Sequence, residues 1–252
     1  MTQINSDFKS TESSAMAAHR VGFYASLLTC LLTIVTFGLA ITAVPISGVF
    51  CLQGCITYPY LDTIAQYPKD YLWMYLAIPL ILVYVVLMAA IHASASPQKK
   101  IYSQIGLSFA MITAVILLSD YFVQFAVIPI SLMNGETDGI ALLTQYNPHG
   151  IFITLEELGY ITMALSFLFM APLFANTLMP VKRDRLEMII QWVFIAAFVL
   201  TIVSLAIILF NFGLDREYRF EVTAISINWL VLVINGALLS IVFRRRLVKT
   251  VN

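Results

Sequence analysis

The stretch MIIQWVFIAAFVLTIVSLAIILFNF, from Met188 to Phe212, carries no charged residue. Its apolar side chains fall on every face of a helix, so no polar side is left to meet water. At about 1.5 Å of rise per residue it is long enough to cross a hydrocarbon core about 30 Å thick. In lipid such a segment must satisfy its own backbone, which a helix does.

Working outward, five further runs of the same kind appear: Val21 to Val44, Tyr71 to Ile91, Ile101 to about Ile128, Gly150 to Leu178, and Val222 to Phe243. Pro45 closes the first, Asp120 interrupts the third, and Pro180 follows the fourth. Barrel strands alternate in polarity and these runs do not. The expected fold is therefore all-α, a polytopic membrane protein built as a bundle of six transmembrane helices over residues 21–246. A Ser- and Thr-rich tail, residues 1–20, precedes the bundle and is expected to be mobile; a short tail, 247–252, follows it.

Composition agrees with this reading. The chain of 252 residues is 60% apolar and 11% charged, with a mean hydropathy of +0.89. A soluble domain would be about one quarter charged. A formal net charge of zero supplies no field for a polyanion, so nucleic acid is not an expected partner. Three cysteines are too few for a disulfide scaffold and lack the paired spacing of a zinc site.

All but three of the 14 Lys and Arg residues fall on the side of the N-terminus; the exceptions are Lys69, Arg216 and Arg219. Cytoplasmic flanks hold such an excess, which predicts a cell-membrane protein with both termini in the cytoplasm. Tyr58, Tyr60, Tyr67, Tyr71, Trp73 and Tyr75 cluster at the outer end of the second span, where amphipathic rings favour the headgroup layer. The first span is longer than the apolar region of a signal peptide, and Ala40 to Ala43 make a poor cleavage site, so it is read as retained.

Two outer loops are long, Pro45 to Asp70 and Ser131 to about Pro148. Within the second, Ile140 to Leu143 suits either an interfacial helix or a packed loop, and the loop is the simpler reading. No polar or glycine pattern recurs between the two halves, which weighs against an inverted-repeat transporter.

Ionisable groups at membrane depth are expensive and mark candidate sites. Asp120, Gln124 and Thr113 share one helix face by their spacing. If the span ends at Ser119, however, Asp120 lies at headgroup level, or it serves as glue between helices. Glu156 and Glu157 admit two readings. A fourth helix beginning near Asn147 buries both beside Asp120, and the apolar run Gly150 to Ile153 favours that arrangement. Thr154 with Glu157 also matches a capping box, which would leave the acids at the interface. His149 lies seven residues before Glu156 and could join it as a ligand, or simply stand at a helix start; no compact metal motif occurs. Asn228 and Asn235, seven apart in the sixth span, suit hydrogen bonds between helices, with Asn228 close enough to the outer half to join the acids.

Cys51 and Cys55 can close a small disulfide across the turn at Gly54 if their loop faces an oxidising compartment. Cys30 reads as a small buried hydrophobe. The basic clusters Lys182–Arg185 and Arg244–Arg246 suit topology and anionic lipid, and Asp215 to Arg219 a charged outer turn with weak ion pairs. Nucleotide loops, nucleophile elbows and haem ligand pairs are absent from the sequence, and no cofactor is expected.

The leading expectation is a non-enzymatic membrane protein that binds or conducts a small solute, ion or proton. Its outer-half pocket would comprise Asp120, Gln124, Glu156, Glu157 and Asn228, with Asp120 and Glu157 as the charged pair. Its partners would be the bilayer and a small solute, ion or lipid. The rivals are an intramembrane enzyme on a lipid or isoprenoid, with His149 assisting a carboxylate, and an accessory subunit whose acids are glue.

Overall fold

The computed structural model describes residues 2–43, 46–175 and 184–251, with side chains described from residue 15 to 248 within them. Val44 and Pro45 at the expected end of the first span, Leu178 and Pro180 beyond the fourth, and Lys182 and Arg183 lie outside the described residues, as do the side chains of Lys9 and Lys249. The chain is 82% helical, with no strand among the described residues.

The helices are α1 (Thr2–Ile41), α2 (Leu72–Ala93), α3 (Lys100–Ala126), α4 (Ile128–Met133), α5 (Ile140–Leu143), α6 (Ile151–Met170), α7 (Arg185–Phe212) and α8 (Tyr218–Val251). All of them except α5 belong to six helical stretches long and apolar enough to cross a membrane, α4 continuing the stretch that holds α3. The polar residues from Thr2 to Arg20 continue the first helix along the chain.

Local chemistry sets several boundaries. Pro129 lacks an N–H donor, and the helix breaks at Val127 before restarting as α4 with that proline in its first turn. Asp184 caps α7 by accepting from the Leu186 N–H at 3.0 Å. At the other end, Gly213 turns the chain out of α7 at φ +59°. Gly150, not Thr154, precedes α6. The Thr154 hydroxyl instead donates back to the Gly150 carbonyl at 3.0 Å, so the capping-box alternative is not formed. Ile140 to Leu143 is one short helix rather than an irregular loop.

The long helices pack as a ring in the order α1, α2, α3, α6, α7, α8, with α8 closing on α1 and α6 also reaching α8. Small residues permit the closest approaches, as expected where packing rather than water drives association. A Cβ on Gly236 of α8 would lie 3.0 Å from Cys30 Cβ and Ser26 O of α1. Ser166 of α6 donates to the Gly106 carbonyl of α3 at 2.7 Å, and the Thr113 and Thr162 hydroxyls bond at 2.9 Å across the same pair.

Because the long helices alternate in direction, residues 42–71, 127–150 and 213–217 connect them at one end of the bundle, the loop end. There the Tyr218 hydroxyl donates to Gln145 O at 3.1 Å and accepts from Ser47 Oγ at 2.6 Å. The Tyr146 hydroxyl donates to Asp70 Oδ2 at 2.8 Å. Burial, then that hydrogen bond, raises Tyr146 far above the ordinary tyrosine range, which keeps it a donor. The loop end is thus stitched together just above the acidic residues.

Candidate functional site

Three helices bring acids together near the loop end: Asp120 from α3, Glu156 from α6 and Glu221 from α8. All three are buried. The second turn of α6 aims Glu156 at α3, where the Tyr121 hydroxyl donates to its Oε1 at 2.6 Å. Tyr121 lies 2.8 Å from the Tyr160 hydroxyl. Each tyrosine has one O–H, so with Tyr121 committed to Glu156 it is Tyr160 that donates to Tyr121. The result is a directed chain, Tyr160 to Tyr121 to Glu156, with both rings almost wholly inaccessible.

Glu221 lies within hydrogen-bonding reach of Glu156, and Asp120 within electrostatic reach of both. A hydrogen bond between two carboxyl groups requires one proton between them. Asp120 Oδ2 is buried and has no partner, a costly arrangement for a polar atom in a bundle core.

Glu156 and Glu221 open onto a cavity of about 180 Å³ between α1, α2, α6 and α8. Its walls are mostly apolar, with Phe37, Trp73, Phe152 and Trp229 as the large rings. Phe37 meets Trp229 edge-on at 5.5 Å, and Trp73 meets Trp229 at 6.0 Å. These contacts hold the rings in fixed orientations. Gln145 completes the wall. Its Nε2, close to the Tyr71 hydroxyl, completes no hydrogen bond.

Glu157 does not point at Asp120. The Arg216 guanidinium grips it from the turn between α7 and α8, with Nε donating to Oε1 at 3.0 Å and Nη2 to Oε2. Those hydrogen bonds hold Arg216 above its ordinary value. The acid close to Asp120 is Glu156, one residue earlier and a helical step of about 100° away.

The other candidates from the sequence are dispersed. Gln124 is buried but spent on structure: its Nε2 donates to Leu143 O, and its Oε1 accepts from the Gln145 N–H at 2.9 Å. His149 is a surface group, its side chain 54% exposed, 3.6 Å from Asp215. With Asp215 and Glu217 it places ligating atoms within 4.8 Å of one another outside the cavity. Asn228 donates to Ala224 O on its own helix at 2.8 Å, and its buried Oδ1 has no partner. Asn235 reaches Ile190 O of α7 at 3.4 Å. Cys51 and Cys55 form a disulfide with Cα atoms 5.7 Å apart, while Cys30 is a free thiol.

Sequence reasoning missed Glu221 and undervalued Arg216. Both lie around the start of α8, which begins at Tyr218 and not at the expected Val222. Glu221 was excluded from the span by a single position. The signal that could have found it is the aromatic pair Tyr218 and Phe220, which would be wasted in an exposed turn and is fully buried. In comparisons with protein-family models, curated proteins and solved structures, nothing matched this chain.

Proposed function

We propose that this is an integral membrane protein that binds a small solute in the cavity at its loop end, with Glu156 and Glu221 as the polar groups that meet the solute. Asp120 and the Tyr160–Tyr121 chain set the charge and hydrogen bonding of that pair from behind. One observation carries the reading: two buried carboxyl groups line an apolar cavity, while the neighbouring cation, Arg216, is engaged by Glu157. Ionisable groups placed so deep in a bundle are costly, and a cavity in front of them gives that cost a purpose.

The charge asymmetry of the loops supports termini in the cytoplasm and a cavity near the outer face of the cell membrane. The Cys51–Cys55 disulfide at the loop end fits an oxidising compartment on that side. The cavity offers carboxyl groups without an imidazole, since His149 stands outside it, and this favours binding or transport over lipid chemistry assisted by that histidine.

A small lipid-soluble carbodiimide tests the reading. Diisopropylcarbodiimide should add to Glu156 or Glu221 in the reconstituted protein, detectable as a peptide mass shift, and should spare Glu157 beneath its guanidinium. Absence of labelling at both cavity acids would refute accessibility and favour a subunit whose acids only hold helices together.

A further inference from the structure

Resting on that reading, we infer that the solute is a small lipophilic organic ammonium cation. The charged groups lining the cavity are both acidic, and neither Lys nor Arg is among its lining residues. Glu156 and Glu221 line the same space, and with one proton held between two carboxyl groups the remaining negative charge is what a monovalent cation would neutralise. Asp120, with Oδ2 buried and unpaired, stands behind them on α3.

The remaining walls decide which cation. A hard metal ion needs about six to eight oxygen ligands, and beyond the two carboxyl groups only Gln145 and Ser226 among the lining side chains carry oxygen. A proton needs no cavity. An alkyl or arylalkyl ammonium uses every part of the site. Its charge meets the carboxyl pair, its hydrocarbon body displaces water from the apolar walls, and the rings of Trp73, Trp229, Phe37 and Phe152 line the space it would fill. Gln145, buried to 3% exposure, completes the wall beside them. At about 180 Å³, the cavity is smaller than the roughly 300–1,000 Å³ of sites for drug-sized molecules, so the ligand is small.

The test uses the full chain in phosphatidylcholine nanodiscs, with Trp192→Phe removing the lipid-facing indole so that Trp73 and Trp229 report. Phenethylammonium should change the tryptophan emission saturably. Phenethyl alcohol, the same skeleton without the charge, should bind about tenfold more weakly or worse. Glu156→Gln with Glu221→Gln should remove the preference for the ammonium while leaving alcohol binding in place. Equal affinity for alcohol and ammonium on the unsubstituted acids would overturn the inference without recourse to any carboxyl variant. So would a preference that survives the double substitution. If phenethylammonium gives no saturable change while the carbodiimide still labels Glu156 or Glu221, the cation class is wrong and the cavity stands. If labelling fails as well, the underlying reading falls with it.

Discussion

Helices α6 and α7 are neighbours in the ring, yet their most apolar windows differ sharply, 61% buried in α6 and 17% in α7. The more hydrophobic of the two is the more exposed. In water that order would be reversed, because apolar surface would be driven inside. In lipid nothing penalises an apolar exterior, so α7 can present Leu200, Val203, Ile207 and Phe210 outward. The polar groups are the ones that must be enclosed, and α6 carries them: Glu156, Glu157, Tyr160, Thr162 and Ser166. Polarity, not hydrophobicity, marks the core.

That contrast can be broken most severely at Gly159. A side chain there would collide with Leu117 of α3, and Gly159→Leu should cost about 1–3 kcal/mol or more. Ala206→Leu on the exposed face of α7 should stay within about 0.5 kcal/mol. Thermal unfolding of both variants in one detergent makes the comparison direct, and equal losses would end it.

An effect no larger is expected from Tyr121→Phe, which strands Glu156 Oε1 and the Tyr160 hydroxyl without their shared partner. The expected loss is about 1–3 kcal/mol, with faster amide exchange in α3 and α6 and little change in α7. Smaller again is the Glu157–Arg216 pair. The Arg216 side chain is one quarter exposed, so solvent partly screens the pair, and a double-mutant cycle with Glu157→Gln and Arg216→Gln should return about 1 kcal/mol. The smallest effect belongs to Phe210→Ala on α7. That ring is 90% exposed, and its loss should shift unfolding by less than about 0.5 kcal/mol; a large shift would show that α7 is covered by protein and not by lipid.

The six long helices were legible because a run such as Met188 to Phe212 has one physical solution in hydrocarbon. The common face of Thr113, Asp120 and Gln124 was legible too, since it follows from the helical period, and all three are buried. The period says nothing of what each side chain meets. Thr113 meets Thr162, Gln124 meets the backbone of residues 143 and 145, and Asp120 faces Glu156 and Glu221. Those partners depend on how each helix is rotated about its own axis relative to its neighbours. Packing of residues far apart in sequence sets that rotation. Glu156 and Glu157 show the sensitivity: one residue of register separates an acid in the cavity from an acid gripped by arginine. Glu221 escaped notice because hydropathy fades at a span's end, whereas the helix is extended to Tyr218 by aromatic burial.

The double grip of Gln124 on residues 143 and 145 reaches beyond the loop it fastens. Gln145 forms part of the cavity wall while its main-chain N–H hangs from α3. Any displacement of Gln145 from that wall would load these hydrogen bonds, as a door handle moves a latch. The cavity wall and the helix that carries Asp120 thus share one side-chain amide.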